Sequence, residues 1–331
     1  VLPDFLTRGN NTRLWTWALL GTALFALWFG ATVDWETLSG ALADAGLKVI
    51  AAALVLLILN GLLAIAWLSV ITRRNNISGA FEVIGWQFLA ATLLPARLSD
   101  VAWMYLIHKK LNIAPGRAVF IALYHRLLDF VVASLFFLVS VLALGSGLLG
   151  AHTELLAALV FAILIAIVAS LEFFLTLGAR ILQWFERHTD KRLAHILLGQ
   201  LLHVRVWYRH GLPKSLLWLT FAIIVARWVA ILAALGILIH AMAAPLGWTD
   251  SAFLSNVYIY FSIIPLQTIG GFGAGEAGLA WVLTLYGLTL GKASAIALLI
   301  RMLINLLHIG FWAVTAVSLA AIDSFRKQAS L

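Results

Sequence analysis

Seven charged side chains fall within or near long apolar stretches of this 331-residue chain: Arg97, Asp100, Arg126, Asp129, Arg227, Glu276 and Arg301. A charge at the centre of a bilayer costs roughly 2.5–3.5 kcal/mol on insertion scales, so it faces a partner or a cavity and marks a functional site by default. Arg97/Asp100 and Arg126/Asp129 are spaced i,i+3, which puts each pair on one helix face. Such pairs can simply neutralise each other. Four arginines nonetheless stand against three carboxylates, and the guanidinium fork suits a phosphate. The surplus points to an anionic group, with a phospholipid head the candidate in this setting.

A second segment offers backbone chemistry. It carries Pro265 and then Gly270, Gly271, Gly273, Gly275 and Gly278. Gly273 to Gly278 formally spell G-x-G-x-x-G, but a dinucleotide turn needs a preceding strand in a βαβ unit, and none is expected here. No Gly-Lys-Ser/Thr follows, so an ATPase loop is also excluded. The glycines can instead unwind the chain and free amides at a helix start, which favours anions. Glu276 at that start can pair with Arg301 or Arg126, or carry a proton. Close helix packing through small residues is the alternative use. His188/His195 and His203/His210 are each seven apart and build no compact metal site, and cysteine is absent. No nucleophile motif occurs. We expect no enzyme activity, no metal and no cofactor.

The elements that must position these residues are membrane helices. Hydrophobic residues make up 63% of the chain and charged ones 11%, against about 45–50% and about 25% in soluble domains. Six stretches are long enough to span: about 14–33, 47–71, 117–145, 153–177, 214–242 and 292–321. The first, preceded by Arg8 and Arg13, is too long for a signal peptide core and reads as an uncleaved anchor. Residues 81–107 and 251–286 are broken at mid-length by Pro95, Arg97 and Asp100 and by Pro265 and the glycines. Irregular backbone at membrane depth is tolerated only where protein or a wet cavity satisfies it, so both read as re-entrant helical hairpins. With both termini cytoplasmic, Arg73, Arg74, Lys109, Lys110, Arg117, Arg326 and Lys327 fall inside, as does the basic segment 179–213. That segment suits an amphipathic helix on anionic head groups. It also accounts for the net charge of +8 without nucleic acid.

Residues 112–128 align without gaps on 287–303, matching a glycine, a basic residue, Ala, Ile-Ala-Leu and the arginines Arg126 and Arg301. Each copy follows a broken segment. The first starts from the cytoplasm and the second from outside, so the repeats, about 47–145 and 214–321, are inverted. Inverted repeats with discontinuous helices are a recurrent transporter architecture, with the site at their interface.

Leu93-Leu94-Pro95-Ala96-Arg97-Leu98-Ser99-Asp100 and Arg126-Leu127-Leu128-Asp129 resemble the first half of the lysylphosphatidylglycerol synthase transmembrane-region family. Ile264-Pro265, the run from Gly271 to Gly278, and Arg301 resemble its second half. The resemblance implies the flippase-like membrane domain of multiple-peptide-resistance proteins, and, with no synthase domain after Leu331, a stand-alone member. Departures at Ser99, Ala102–Trp103 and Ala274 keep substrate identity outside what the resemblance carries.

The expectation is an all-α polytopic protein of the bacterial inner membrane, one domain over 1–331, with about six spans and two re-entrant hairpins. It would move an anionic phospholipid, glycolipid or polyprenyl-phosphate lipid between leaflets. Arg97, Arg126 and Arg301 would hold the head group, and Asp100, Asp129 and Glu276 would hold the arginines. Pro95, Pro265, Gly271, Gly273 and Gly275 would shape the breaks. Membrane lipids are the expected partners, and an oligomer is compatible with all of this. The rivals are a small-solute or ion transporter and a non-transporting partner of a lipid-modifying enzyme.

Overall fold

The computed structural model describes residues 35–73, 76–94, 98–144, 151–169, 213–243, 246–263, 268 and 271–329, with single positions between 23 and 33 and residue 180. Nine helices lie in these residues: α1 (Trp35–Thr72), α2 (Ile77–Leu93), α3 (Leu98–Lys110), α4 (Pro115–Leu144), α5 (Ala151–Ala169), α6 (Lys214–Met242), α7 (Trp248–Ile263), α8 (Ala274–Leu285) and α9 (Leu290–Ala329). The protein is all-α.

Four helical stretches are long and apolar enough to cross a bilayer: Ala45–Thr72, Pro115–Ala143, Lys214–Met242 and Leu290–Ile322. Their 28 to 33 residues exceed the roughly 20 that a hydrocarbon core of about 30 Å demands. Val55, Leu155, Trp218, Leu306 and Val317 lie exposed on these helices and on α5, an apolar surface that only lipid would cover. This is a multi-pass membrane protein. Gly46 (φ 68) divides α1, so its spanning part begins beside that break. The stretch expected at 153–177 is represented by α5. Most of 14–33 and of 179–213 lies outside the described residues.

Each broken segment is a pair of short helices packed on each other, α2 with α3 and α7 with α8. Their arms hold 17, 13, 16 and 12 residues. At a rise of 1.5 Å per residue they reach about 18–26 Å, too short to cross. Lys110 at the end of α3 returns to Glu82 in α2, 2.5 Å apart, which closes the first hairpin. Asn76 caps α2 by accepting from Gly79 N at 2.9 Å. Leu94 ends it in an extended conformation (φ −94, ψ 134), as the proline after it requires.

The glycines of the second hairpin divide their work. Gly271 (φ 72) and Gly273 (φ 154) adopt backbone angles that side chains resist. Gly275 and Gly278 let α7 and α8 approach: a Cβ at 278 would sit 2.3 Å from the Phe261 ring, and one at 275 would sit 2.2 Å from Ser262 Oγ. Gly278→Ala should therefore lower the melting temperature in detergent. Overpacking costs about 1–3 kcal/mol, while the gain in helix propensity is about 1 kcal/mol. The clash meets the base of the ring, so overpacking wins. An unchanged or higher melting temperature would show that Phe261 yields freely.

The two halves pack reciprocally. α1 lies on α6, α2 of the first hairpin lies on α9, and α7 of the second lies on α4. At the α2–α9 contact a Cβ on Gly85 would meet Thr315 Oγ1 at 2.7 Å, and the Phe88 and His308 rings stack at 4.6 Å. At the α7–α4 contact Tyr260 donates to Ser134 Oγ, and its ring lies 4.8 Å from that of Phe137.

Candidate functional site

Two ion pairs sit at matching places in the two halves. In the first, Asp100 is the third residue of α3 and Arg126 the twelfth of α4. The Arg126 guanidinium donates through Nη2 to Asp100 Oδ1, and its Nη1 lies 3.6 Å from Asp129 Oδ2. Asp129 Oδ2 is shared with His125 Nδ1 at 3.0 Å, and Oδ1 accepts from Trp228 Nε1 at 3.1 Å. Arg227 of α6 approaches His125 Nε2 through Nη1 and donates through Nε to Asn60 Oδ1 of α1 at 3.1 Å. The Trp67 and Trp103 rings flank His125 at 4.6 and 4.9 Å. One polar cluster thus joins α1, α3, α4 and α6.

In the second, Glu276 is the third residue of α8 and Arg301 the twelfth of α9. Arg301 Nε donates to Glu276 Oε1 at 2.6 Å, and Tyr258 O–H donates to the same oxygen at 3.0 Å. Glu276 Oε2 accepts from Gly273 N at 2.7 Å. Arg301 also lies 5.5 Å from the Tyr258 ring centroid, within cation–π range. A Cβ on Gly271 would stand 3.4 Å from both Ala91 O and Arg301 Nη1. The tip of the second hairpin therefore touches the last turn of α2 in the first, beside Arg301.

The pairs differ in openness. The Arg126 side chain is 40% exposed, whereas that of Arg301 is 12% exposed and that of Glu276 is fully buried. The first pair is the more open of the two and the second the more enclosed.

The family model for the lysylphosphatidylglycerol synthase TM region matches residues 15–315. The chain belongs to that family. The matched residues take in both hairpins and both ion pairs, and membership links this membrane protein to lipid handling. No curated protein and no solved structure matched the chain.

The structure changes some of the expected partners. The i,i+3 neighbour Asp129 is the more distant of the two carboxylates on Arg126; Asp100, from another helix, is the nearer. Glu276 pairs with Arg301. The helix-start amide of Gly273, expected to be open to an anion, is taken by Glu276's own carboxylate. Gly275 serves packing within the hairpin. Arg97, Pro95, Pro265 and Gly270 lie outside the described residues. Arg126, Arg227 and Arg301 therefore stand with Asp100, Asp129 and Glu276, and the charges of this set balance. The cationic surplus seen in the sequence is Arg97.

His125, Asn60, Trp228 and Tyr258 join the network although sequence reasoning did not select them. Asn60 carried a signal, being an amide near the middle of an apolar span, and so did His125, adjacent to Arg126. Trp228 and Tyr258 carried none, since aromatic residues are ordinary in such helices.

Proposed function

We propose that this protein is a lipid translocase. It moves an anionic phospholipid, glycolipid or polyprenyl-phosphate lipid between the leaflets of the bacterial inner membrane and does no bond chemistry of its own. The observation that carries this reading is the duplicated ion pair, Asp100–Arg126 and Glu276–Arg301, the second of them beside the contact between the two hairpins. Family membership supports lipid as the cargo.

The pairs fit two inverted repeats, about 47–145 and 214–321, related by a two-fold axis in the membrane plane. The reciprocal packing supports that symmetry: exchanging the halves turns the α2–α9 contact into the α7–α4 contact and leaves α1–α6 unchanged. Entering from opposite sides, α4 and α9 would each bring their arginine in by about 17 Å, to the midplane of a core about 30 Å thick. The hairpins would be re-entrant, both termini and 179–213 cytoplasmic, and the breaks at Pro95, Pro265, Gly271 and Gly273 would shape the passage. Labelling of a cysteine introduced near residue 190 by an impermeant reagent from the periplasmic side would contradict this orientation.

Leaflet exchange in proteoliposomes tests the function. Purified protein alone should accelerate the exchange of labelled phosphatidylglycerol over protein-free vesicles. Failure with phosphatidylglycerol, anionic glycolipids and polyprenyl phosphates alike would end the translocase reading.

A further inference from the structure

His125 stands between a carboxylate and an arginine in a closed cluster, and its state follows from its neighbours. Arginine has only donors to offer, so Arg227 Nη1 facing His125 Nε2 requires a lone pair on that nitrogen. The imidazole is therefore neutral, with its proton on Nδ1, which lies 3.0 Å from Asp129 Oδ2. With His125 neutral, Arg126 and Arg227 balance Asp100 and Asp129. The groups around the imidazole are Arg126 and Asp129 on its own helix, Arg227 on α6, held by Asn60, and Trp67 and Trp103 on α1 and α3. Asp100 on α3 is reached through Arg126. His125 itself is 4% exposed.

A phosphate bound at the open side of Arg126 adds negative charge to this balanced set. Uncompensated charge in a low-dielectric interior is expensive, and His125 is the one member of the cluster that can restore neutrality by taking a proton near physiological pH. We propose that His125 is a proton-coupling site: a phosphate-bearing anionic head group at Arg126 and a proton at His125 bind together. This rests on the head-group reading above. The proton comes from solvent and lands on Nε2. No covalent bond other than this N–H forms, and the hydrogen bond from Arg227 is lost because two donors then face each other. Asn60 retains Arg227. As the phosphate draws the Arg126 guanidinium, the imidazolium takes over Asp129 Oδ2, which the two groups share at 3.6 and 3.0 Å. Proton uptake thus also releases a contact between α4 and α6, one helix from each half.

Calorimetric titration of the purified full-length protein with short-chain phosphatidylglycerol, in two buffers of different ionisation enthalpy at one pH, counts the protons. Linkage predicts about one proton taken up per lipid bound, and an affinity that falls roughly tenfold per pH unit once His125 is neutral in the free protein. His125→Gln preserves the neutral cluster, since its amide can accept from Arg227 and donate toward Asp129. It should bind lipid with no proton uptake and no such pH dependence. If this variant does not fold, the wild-type proton count and pH slope still decide. Lipid binding without proton uptake in the wild type, or equal uptake in His125→Gln, overturns the coupling and leaves the head-group reading standing. Absence of any lipid binding overturns both. Inorganic phosphate titrated in the same way should bind far more weakly than the lipid; proton-linked binding of phosphate with none of lipid would assign the site to a free anion and overturn the proposal.

Discussion

Glu276→Ala should be the most destabilising single substitution in either ion pair. It removes the acceptor of three donors, Arg301 Nε, Tyr258 O–H and Gly273 N–H, from a position with no exposed side chain. Breaking a buried pair by removing one partner costs about 3–5 kcal/mol, because the other charge is left uncompensated. Thermal unfolding in detergent should show a fall larger than that of Gly278→Ala. The double variant Glu276→Ala/Arg301→Met should recover much of it, since an apolar pair of similar volume is often as stable as a buried ion pair. A melting temperature within a degree or so of wild type for Glu276→Ala alone would mean that water already screens the pair.

Arg126→Ala should act on transport instead. The carboxylates it leaves, Asp100 and Asp129, are 17% and 18% exposed, unlike the fully buried Glu276, and Asp129 keeps Trp228 and His125. A charge-assisted hydrogen bond contributes about 1.5–3 kcal/mol, so losing it weakens head-group binding roughly 10- to 100-fold. Asp100 and Asp129, left without Arg126, would further repel an anion. Leaflet exchange of phosphatidylglycerol should drop accordingly while expression and monodispersity hold. Arg126→Lys should restore only part of it, because a point charge does not reproduce the bidentate fork. Removing Asp129 together with Arg126 should not rescue exchange; full rescue would mean that the pair is purely structural.

Much of the architecture was legible because the bilayer imposes it. Apolar runs of fixed length gave the spans at 47–71, 117–145, 214–242 and 292–321, each recovered within a few residues. The proline and glycine breaks located both hairpins. Arg126 and Arg301 were matched from a gapless alignment, and the structure gives them equal ranks in α4 and α9. The carboxylates were less legible. The alignment that superposes the arginines sets Asp100 opposite Gly275, one residue short of Glu276. Only the helix starts at Leu98 and Ala274 make the two acids equivalent. Spacing along one helix suggested Asp129 for Arg126, but a long guanidinium stem reaches across to α3 as readily as along its own helix. The His125–Arg227–Asn60 chain was hidden for the same reason: its members come from three helices far apart in sequence, and only tertiary packing joins them.

A structure of the protein in a bilayer containing phosphatidylglycerol would examine the proposed site itself. The duplicated ion pairs predict a head group between the hairpins, with its phosphate within hydrogen-bond reach of Arg126, Arg126 and Arg301 on facing sides of one passage, and that passage open laterally to lipid. Arg126 and Arg301 turned toward the acyl chains on opposite sides of the protein, with no head group between the hairpins, would contradict it.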